Sequence, residues 1–95
     1  MLPKEDLDKA VHLAKKYNIG KLYLVGSSLY NDPDDVNDYD FAISDYPIEV
    51  FFEFYSELYR SMPKEVDLID LSNILESFRK ILLREGKLIY EKRAA

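Results

Sequence analysis

The chain has 95 residues, 47% of them hydrophobic, and a formal net charge of −5, the profile of one small globular domain rather than a disordered segment. It has no cysteine and one histidine, which excludes a disulfide framework, a thiolate nucleophile and a Cys- or His-rich metal cluster. No apolar run reaches the roughly 20 residues that a bilayer requires, the N-terminus has no signal-peptide pattern, and the acidic balance argues against direct nucleic-acid binding. A cytoplasmic protein with a basic protein partner is the expectation.

In chain order, Leu7, Ala10, Val11, Ala14 and Tyr17 recur at helical spacing, with Pro3 suited to the first turn and Asn18 and Gly20 marking the stop. Leu22-Tyr23-Leu24-Val25 is a short apolar run ending at Gly26 and reads as a buried strand. Residues 31–37 form a polar loop punctuated by Asp-Pro. A second strand follows from Tyr39 to Ile43, with Tyr39, Phe41 and Ile43 on one face and Asp38, Asp40 and Ala42 on the other.

Pro47 starts a second helix that runs to about Met62. Its stripe is Phe51, Tyr55, Leu58 and Met62, widened by Phe52 and Tyr59. Core packing is expected for Phe51 and Tyr55, while Phe54 or Tyr59 is a candidate for an exposed patch facing a partner. Val66 to Leu71 is a third strand, on which Asp67 shares a face with Ile69 and Leu71 and Asp70 lies opposite, read as a structural acid and the competing candidate to Asp67 should the faces be exchanged. The third helix spans about Ser72 to Glu85, with Ile74, Leu75, Phe78, Ile81 and Leu82 on its apolar face and Gly86 at C′. Leu88, Ile89 and Tyr90 close the chain as an edge strand. The order αβ(loop)βαβαβ predicts one α/β (α+β) domain over residues 1–95, a small mixed sheet of about four strands with three helices.

The chemistry concentrates at two places. Asp38 and Asp40 project side by side from one strand face, and two carboxylates that close raise each other's pKa unless a cation sits between them. From Leu22 through Tyr59 there is no Lys, Arg or His, yet the stretch holds Asp32, Asp34, Asp35, Asp38, Asp40, Asp45, Glu49, Glu53 and Glu57. Those nine negative charges against a net of −5 leave +4 on the rest of the chain. Hard oxygen donors without internal counterions suit a divalent ion such as Mg²⁺, held by one or two carboxylates plus substrate phosphates. The second place is Gly26-Ser27, where a strand ending leads into a helical turn whose backbone N–H groups can cradle a phosphate. With Asp67 facing the acidic pair, three carboxylates and a cradle form a two-metal phosphoryl or nucleotidyl transfer site. Asp32, Asp34 and Asp35 are not a calcium loop, because Asn37 and Ile43 stand where glycine and glutamate are needed. His12 falls off the apolar face and is a surface residue.

Gly26-Ser27, then Asp38-x-Asp40 followed by Phe41-Ala42-Ile43, then Val66-Asp67-Leu68-Ile69 resembles the minimal nucleotidyltransferases of the DNA polymerase β superfamily. The run from Ile81 to Glu91 is similar to their C-terminal helix and strand, so the resemblance covers nearly the whole chain. It implies a polymerase-β-like fold, with Gly26, Ser27 and Ser28 as the turn that binds a nucleoside triphosphate. It further implies Asp38 and Asp40 as the Mg²⁺-binding pair, and Asp67 as a third acid that completes the metal site and helps activate the acceptor hydroxyl. Two Mg²⁺ ions, ATP as substrate and AMP transfer to a hydroxyl of a protein partner follow from the same resemblance. Many relatives of this size are MNT-domain antitoxins that pair with a HEPN-domain toxin, so a HEPN-type partner in a homo- or hetero-oligomer is expected. Ser28 stands where that family often has arginine, and Asn31 where it often has a second glycine. An antitoxin acting by binding alone is therefore one alternative, and a small-molecule (aminoglycoside-like) nucleotidyltransferase is another.

Overall fold

The structure, a computed structural model, describes residues 2–93. Among the described residues there are four helices, three short 3₁₀ turns and four strands, the single-turn α2 being additional to the three helices expected. Helix α1 (Lys4–Lys16) leads to β1 (Lys21–Val25), the single-turn α2 (Ser27–Tyr30), a 3₁₀ turn (Pro33–Asp35) and β2 (Asp38–Ser44). A second 3₁₀ turn (Ile48–Val50) opens α3 (Phe51–Ser61), which precedes β3 (Glu65–Asp70). A third 3₁₀ turn (Leu71–Asn73), α4 (Glu76–Glu85) and β4 (Lys87–Glu91) complete the chain.

The sheet order is β3-β2-β1-β4, so β4 is an edge strand as its position in the sequence suggests. β1 is antiparallel to both neighbours, and β2 is parallel to β3, a pairing that requires α3 as its crossover. One sheet face carries Leu22, Leu24, Tyr39, Phe41, Ile43 and Val66 into the main core, where Ala10, Leu13 and Ala14 of α1 and Phe54 and Leu58 of α3 cover it. The other face is thinner. Val25, Ala42 and Leu71 are buried there, with Tyr23, Ile69, Ile74 and Leu82 packed against them.

Three helical expectations are corrected by this packing. The buried side of α1 is Asp6, Ala10, Leu13 and Ala14, a stripe rotated from the predicted one so that a carboxylate faces inward. On α3, Phe54 is fully buried, whereas Phe52 is 79% exposed and Tyr59 is 45% exposed. The wide aromatic stripe is thus split, with Phe54 in the core and Phe52 and Tyr59 outside it. Helix α4 begins four residues later than predicted and has no buried residue. Leu82 packs on the sheet, but Leu75, Phe78 and Ile81 of its predicted apolar face are exposed. Gly86 caps α4 with φ −76, not in the left-handed conformation. Glycine is required there by crowding, because a Cβ would meet the Leu82 carbonyl oxygen at 2.6 Å and Val25 Cγ1 at 2.9 Å.

Candidate active site

The strand register brings two of the sequence-predicted acids, Asp40 and Asp67, side by side. Val25, the last residue of β1, pairs with Asp40, and Asp40 pairs on its other side with Asp67. Lateral neighbours in a sheet point to the same face, and this is the thinner face that carries Ala42 and Ile69. Asp38 lies two residues earlier on that face, beside Glu65 of β3.

The electrostatics follow from this crowding. The Asp40 carboxyl is raised from 3.8 to about 6 by burial, then by the negative charges of Asp67 and Asp38 and by a hydrogen bond shared with Asp67. Asp40 and Asp67 are therefore a joined pair, and Asp38 acts on Asp40 through its charge. Among the described residues no three His, Asp or Glu side chains stand together at metal-ligand spacing, so the expected convergence of three carboxylates is not seen: Asp67 lies beside Asp40, and Asp38 stands further along the strand. The donor chemistry nonetheless fits a hard divalent ion. Carboxylates crowded enough to raise the Asp40 carboxyl to about 6 occupy a place that a cation would neutralise.

The turn comes directly against this pair. Gly26 has φ +68, and a Cβ at that position would lie 2.6 Å from Asp40 Oδ2. Glycine is needed both for the left-handed conformation and for the close approach. Behind it, Leu29 N–H donates to the Gly26 carbonyl at 3.2 Å and Asn31 N–H to the Ser27 carbonyl at 3.0 Å, which closes the turn with Ser27 exposed.

The Ser28 hydroxyl is engaged within the protein. The side chain is 1% exposed. The hydroxyl donates to the Val25 carbonyl at 3.0 Å and accepts the Asp40 N–H at 3.2 Å. It is turned into the protein. Asp70, expected to be structural, caps the turn after β3 by accepting from Ser72 N–H at 3.0 Å and Ser72 Oγ at 2.6 Å. Burial works to raise its pKa, but the hydrogen bonds from Ser72 overcome this and hold it low.

One supporting residue lies outside the sequence-based expectations. Asp6 of α1 is 2% exposed and accepts a 3.0 Å hydrogen bond from the hydroxyl of Tyr39, the residue between Asp38 and Asp40. Burial of that phenol, with the Asp6 hydrogen bond and charge, pushes its pKa up to about 12. The sequence does hold a signal for it, since Asp6, Ala10, Leu13, Ala14 and Tyr17 fall at i, i+4, i+7, i+8 and i+11. A carboxylate on an otherwise apolar stripe points to a buried partner.

Residues 8–95 match the family described as polymerase beta, nucleotidyltransferase, and the chain belongs to that family. No curated protein sequence matches it significantly. Solved structures do. A chain from the Shewanella oneidensis complex of a tri-AMPylated HEPN toxin with an MNT antitoxin is 20% identical with a TM-score of 0.71, covering 94% of this chain and 72% of that one. A toxin-antitoxin structure with AMP-PNP is 19% identical with a TM-score of 0.70, covering 92% of this chain and 74% of that one. A protein described as a minimal nucleotidyltransferase is 15% identical with a TM-score of 0.71, covering 87% and 88%. At these identities the likeness establishes the fold. No described helix is long and apolar enough to cross a membrane.

Proposed function

We propose that this chain is a Mg²⁺-dependent nucleotidyltransferase that transfers AMP from ATP to a hydroxyl of a protein partner, as the antitoxin of a HEPN/MNT pair. The observation that carries this reading is the row of Asp40 and Asp67 on neighbouring strands with the Gly26 turn pressed against Asp40. Asp38, Asp40 and Asp67 would hold the metal. Bound there, magnesium would neutralise the phosphates and stabilise the leaving pyrophosphate. The Gly26-Ser27 turn orients the triphosphate through its backbone. The acceptor oxygen forms a bond to the α-phosphorus as the bond from that phosphorus to the β-bridging oxygen breaks, releasing pyrophosphate. Asp67, exposed at the strand edge, accepts the hydroxyl proton. The protein supplies position and charge rather than a covalent intermediate. Family membership supports nucleotidyl transfer, and the structures of the same fold that hold AMP-PNP or a tri-AMPylated HEPN toxin support the nucleotide and the partner class.

A second reading, an antitoxin that acts by binding alone, is favoured by the absence of any Lys, Arg or His from Leu22 to Tyr59. That stretch includes the turn that would face the triphosphate. One experiment separates the two. The chain is incubated with labelled ATP and Mg²⁺ with and without a HEPN-domain protein encoded beside it, and again as Asp38→Asn and Asp40→Asn. Label on that protein, lost in both variants, supports transfer. Neutralisation of its toxicity without label supports binding alone. Label on neither the HEPN protein nor any hydroxyl compound removes the transferase reading.

A further inference from the structure

We propose that Ser28 is a positioning residue whose buried hydroxyl fixes the separation between the Gly26-Ser27 turn and the strand that carries Asp40. The inference rests on the function proposed above, but it concerns a side chain whose hydroxyl is engaged by the backbone of two strands. A hydroxyl has one donor and two acceptor sites. Ser28 uses the donor on the Val25 carbonyl and one acceptor site on the Asp40 N–H. Val25 and Asp40 are themselves cross-strand partners, so the hydroxyl relays one backbone group to the other at the point where β1 gives way to the turn.

Three features make this a fixed distance. Ser28 is 1% exposed, so water does not substitute for its hydroxyl. Gly26 on one side of the relay stands against Asp40 Oδ2 on the other, at 2.6 Å from where a Cβ would be. A shift of the turn therefore either opens a gap at the carboxyl or closes on it. The α2 turn, four residues long, is too short to hold its own place by helix propagation. Phosphoryl-transfer sites tolerate little of this, since a misplacement of about 1 Å can lower function about 100-fold.

The test compares Ser28→Ala, Ser28→Thr and Ser61→Ala in the full chain. Ser61 Oγ makes a similar 3.0 Å hydrogen bond, to the Leu58 carbonyl at the end of α3, and serves as the control for loss of a hydroxyl away from the turn. Calorimetric titration with MgATP gives affinity, and thermal melting gives stability. Ser28→Ala is expected to weaken MgATP about 10-fold, the equivalent of one hydrogen bond's net worth, with Ser28→Thr within about 3-fold of the original chain and Ser61→Ala unchanged. A Ser28→Ala chain that binds MgATP as the original does, or a loss that threonine fails to rescue, overturns the inference while leaving the proposed function in place. An original chain that takes up no MgATP overturns both. Should Ser28→Ala not fold, Ser28→Cys, similar in size with a weak donor and acceptor, carries the same comparison.

Discussion

Asp40 and Asp67 are directly opposite each other on the parallel strands β2 and β3, and after burial the Asp67 charge is the main influence that raises the Asp40 carboxyl. A parallel pairing of two acids is unfavourable by itself, so the sheet carries a local electrostatic cost at the candidate site. Its chemical meaning is that one proton, or one cation, belongs there.

That cost is measurable as a pH dependence. The folded-state pKa of Asp40, about 6, lies above the ordinary 3.8, so the folded chain holds this proton more tightly than the unfolded one. The stabilising contribution is fully present below about pH 4 and is lost as pH rises through about 6. Asp40→Asn, which cannot ionise, should therefore match the original chain near pH 4 and exceed it in metal-free buffer at pH 7. After discounting for partial exposure the gain is about 1 kcal/mol or less, which corresponds to about 4–8 °C at most for a domain of this size. Thermal melts from pH 4 to pH 8 check this, and added Mg²⁺ should narrow the gap at pH 7. Equal melting temperatures at all pH values would contradict the assigned carboxyl pair.

Gly26→Ala should fail on two separate grounds. The left-handed backbone costs a non-glycine residue about 1–2 kcal/mol, and the new methyl group would stand 2.6 Å from Asp40 Oδ2. Denaturant unfolding is expected to show that loss, and calorimetry with MgATP to show binding lowered well beyond what the stability loss explains. A variant that binds normally would separate the turn from the site.

The strands and the acids they carry are more legible in the sequence than the helices are, and the reason is physical. β1, β2 and β3 are short and apolar with acids at fixed places, and a period of two leaves little freedom once one face is buried. Asp38, Asp40 and Asp67 stand out because carboxylates without counterions in such strands are costly until a proton or a cation neutralises them. Phe52 and Phe54 are not distinguishable by pattern, since aromatic residues on both sides of α3 give no unique stripe. The periodicity of α4 implies a packed face that the sheet does not provide. Ser28 resembles a nucleotide contact only because Gly26 and Ser27 precede it. The fold alone reveals that its hydroxyl turns inward, towards Val25 and Asp40.

The Asp6–Tyr39 hydrogen bond joins α1 to the strand that bears the acidic pair, with the two residues 2% and 1% exposed. Removing one partner leaves the other buried and unsatisfied, at about 1–3 kcal/mol. Asp6→Ala and Tyr39→Phe should each lower stability by that order. The double variant should cost less than their sum, giving a coupling energy of about 0.5–3 kcal/mol. A double-mutant cycle in urea measures it, and strict additivity would show that the two groups do not interact.

Helix α4 offers a contrast within ten residues. Leu82 packs against Val25, Ala42 and Leu71, whereas Leu75 is 78% exposed and Phe78 is 44% exposed. Truncating a packed leucine in so thin a layer removes apolar contact and leaves a cavity, so Leu82→Ala should cost about 2 kcal/mol or more. Leu75 is already mostly exposed, so Leu75→Ser should fall within about 0.5 kcal/mol of the original chain, and Phe78→Ser, at a ring that is about half covered, should cost less than Leu82→Ala. Urea unfolding of the isolated chain resolves the difference. If Leu75→Ser or Phe78→Ser proved as costly as Leu82→Ala, that face of α4 would be covered in the folded chain in solution, and the thin side of the sheet would be thicker than the packing around Val25 implies.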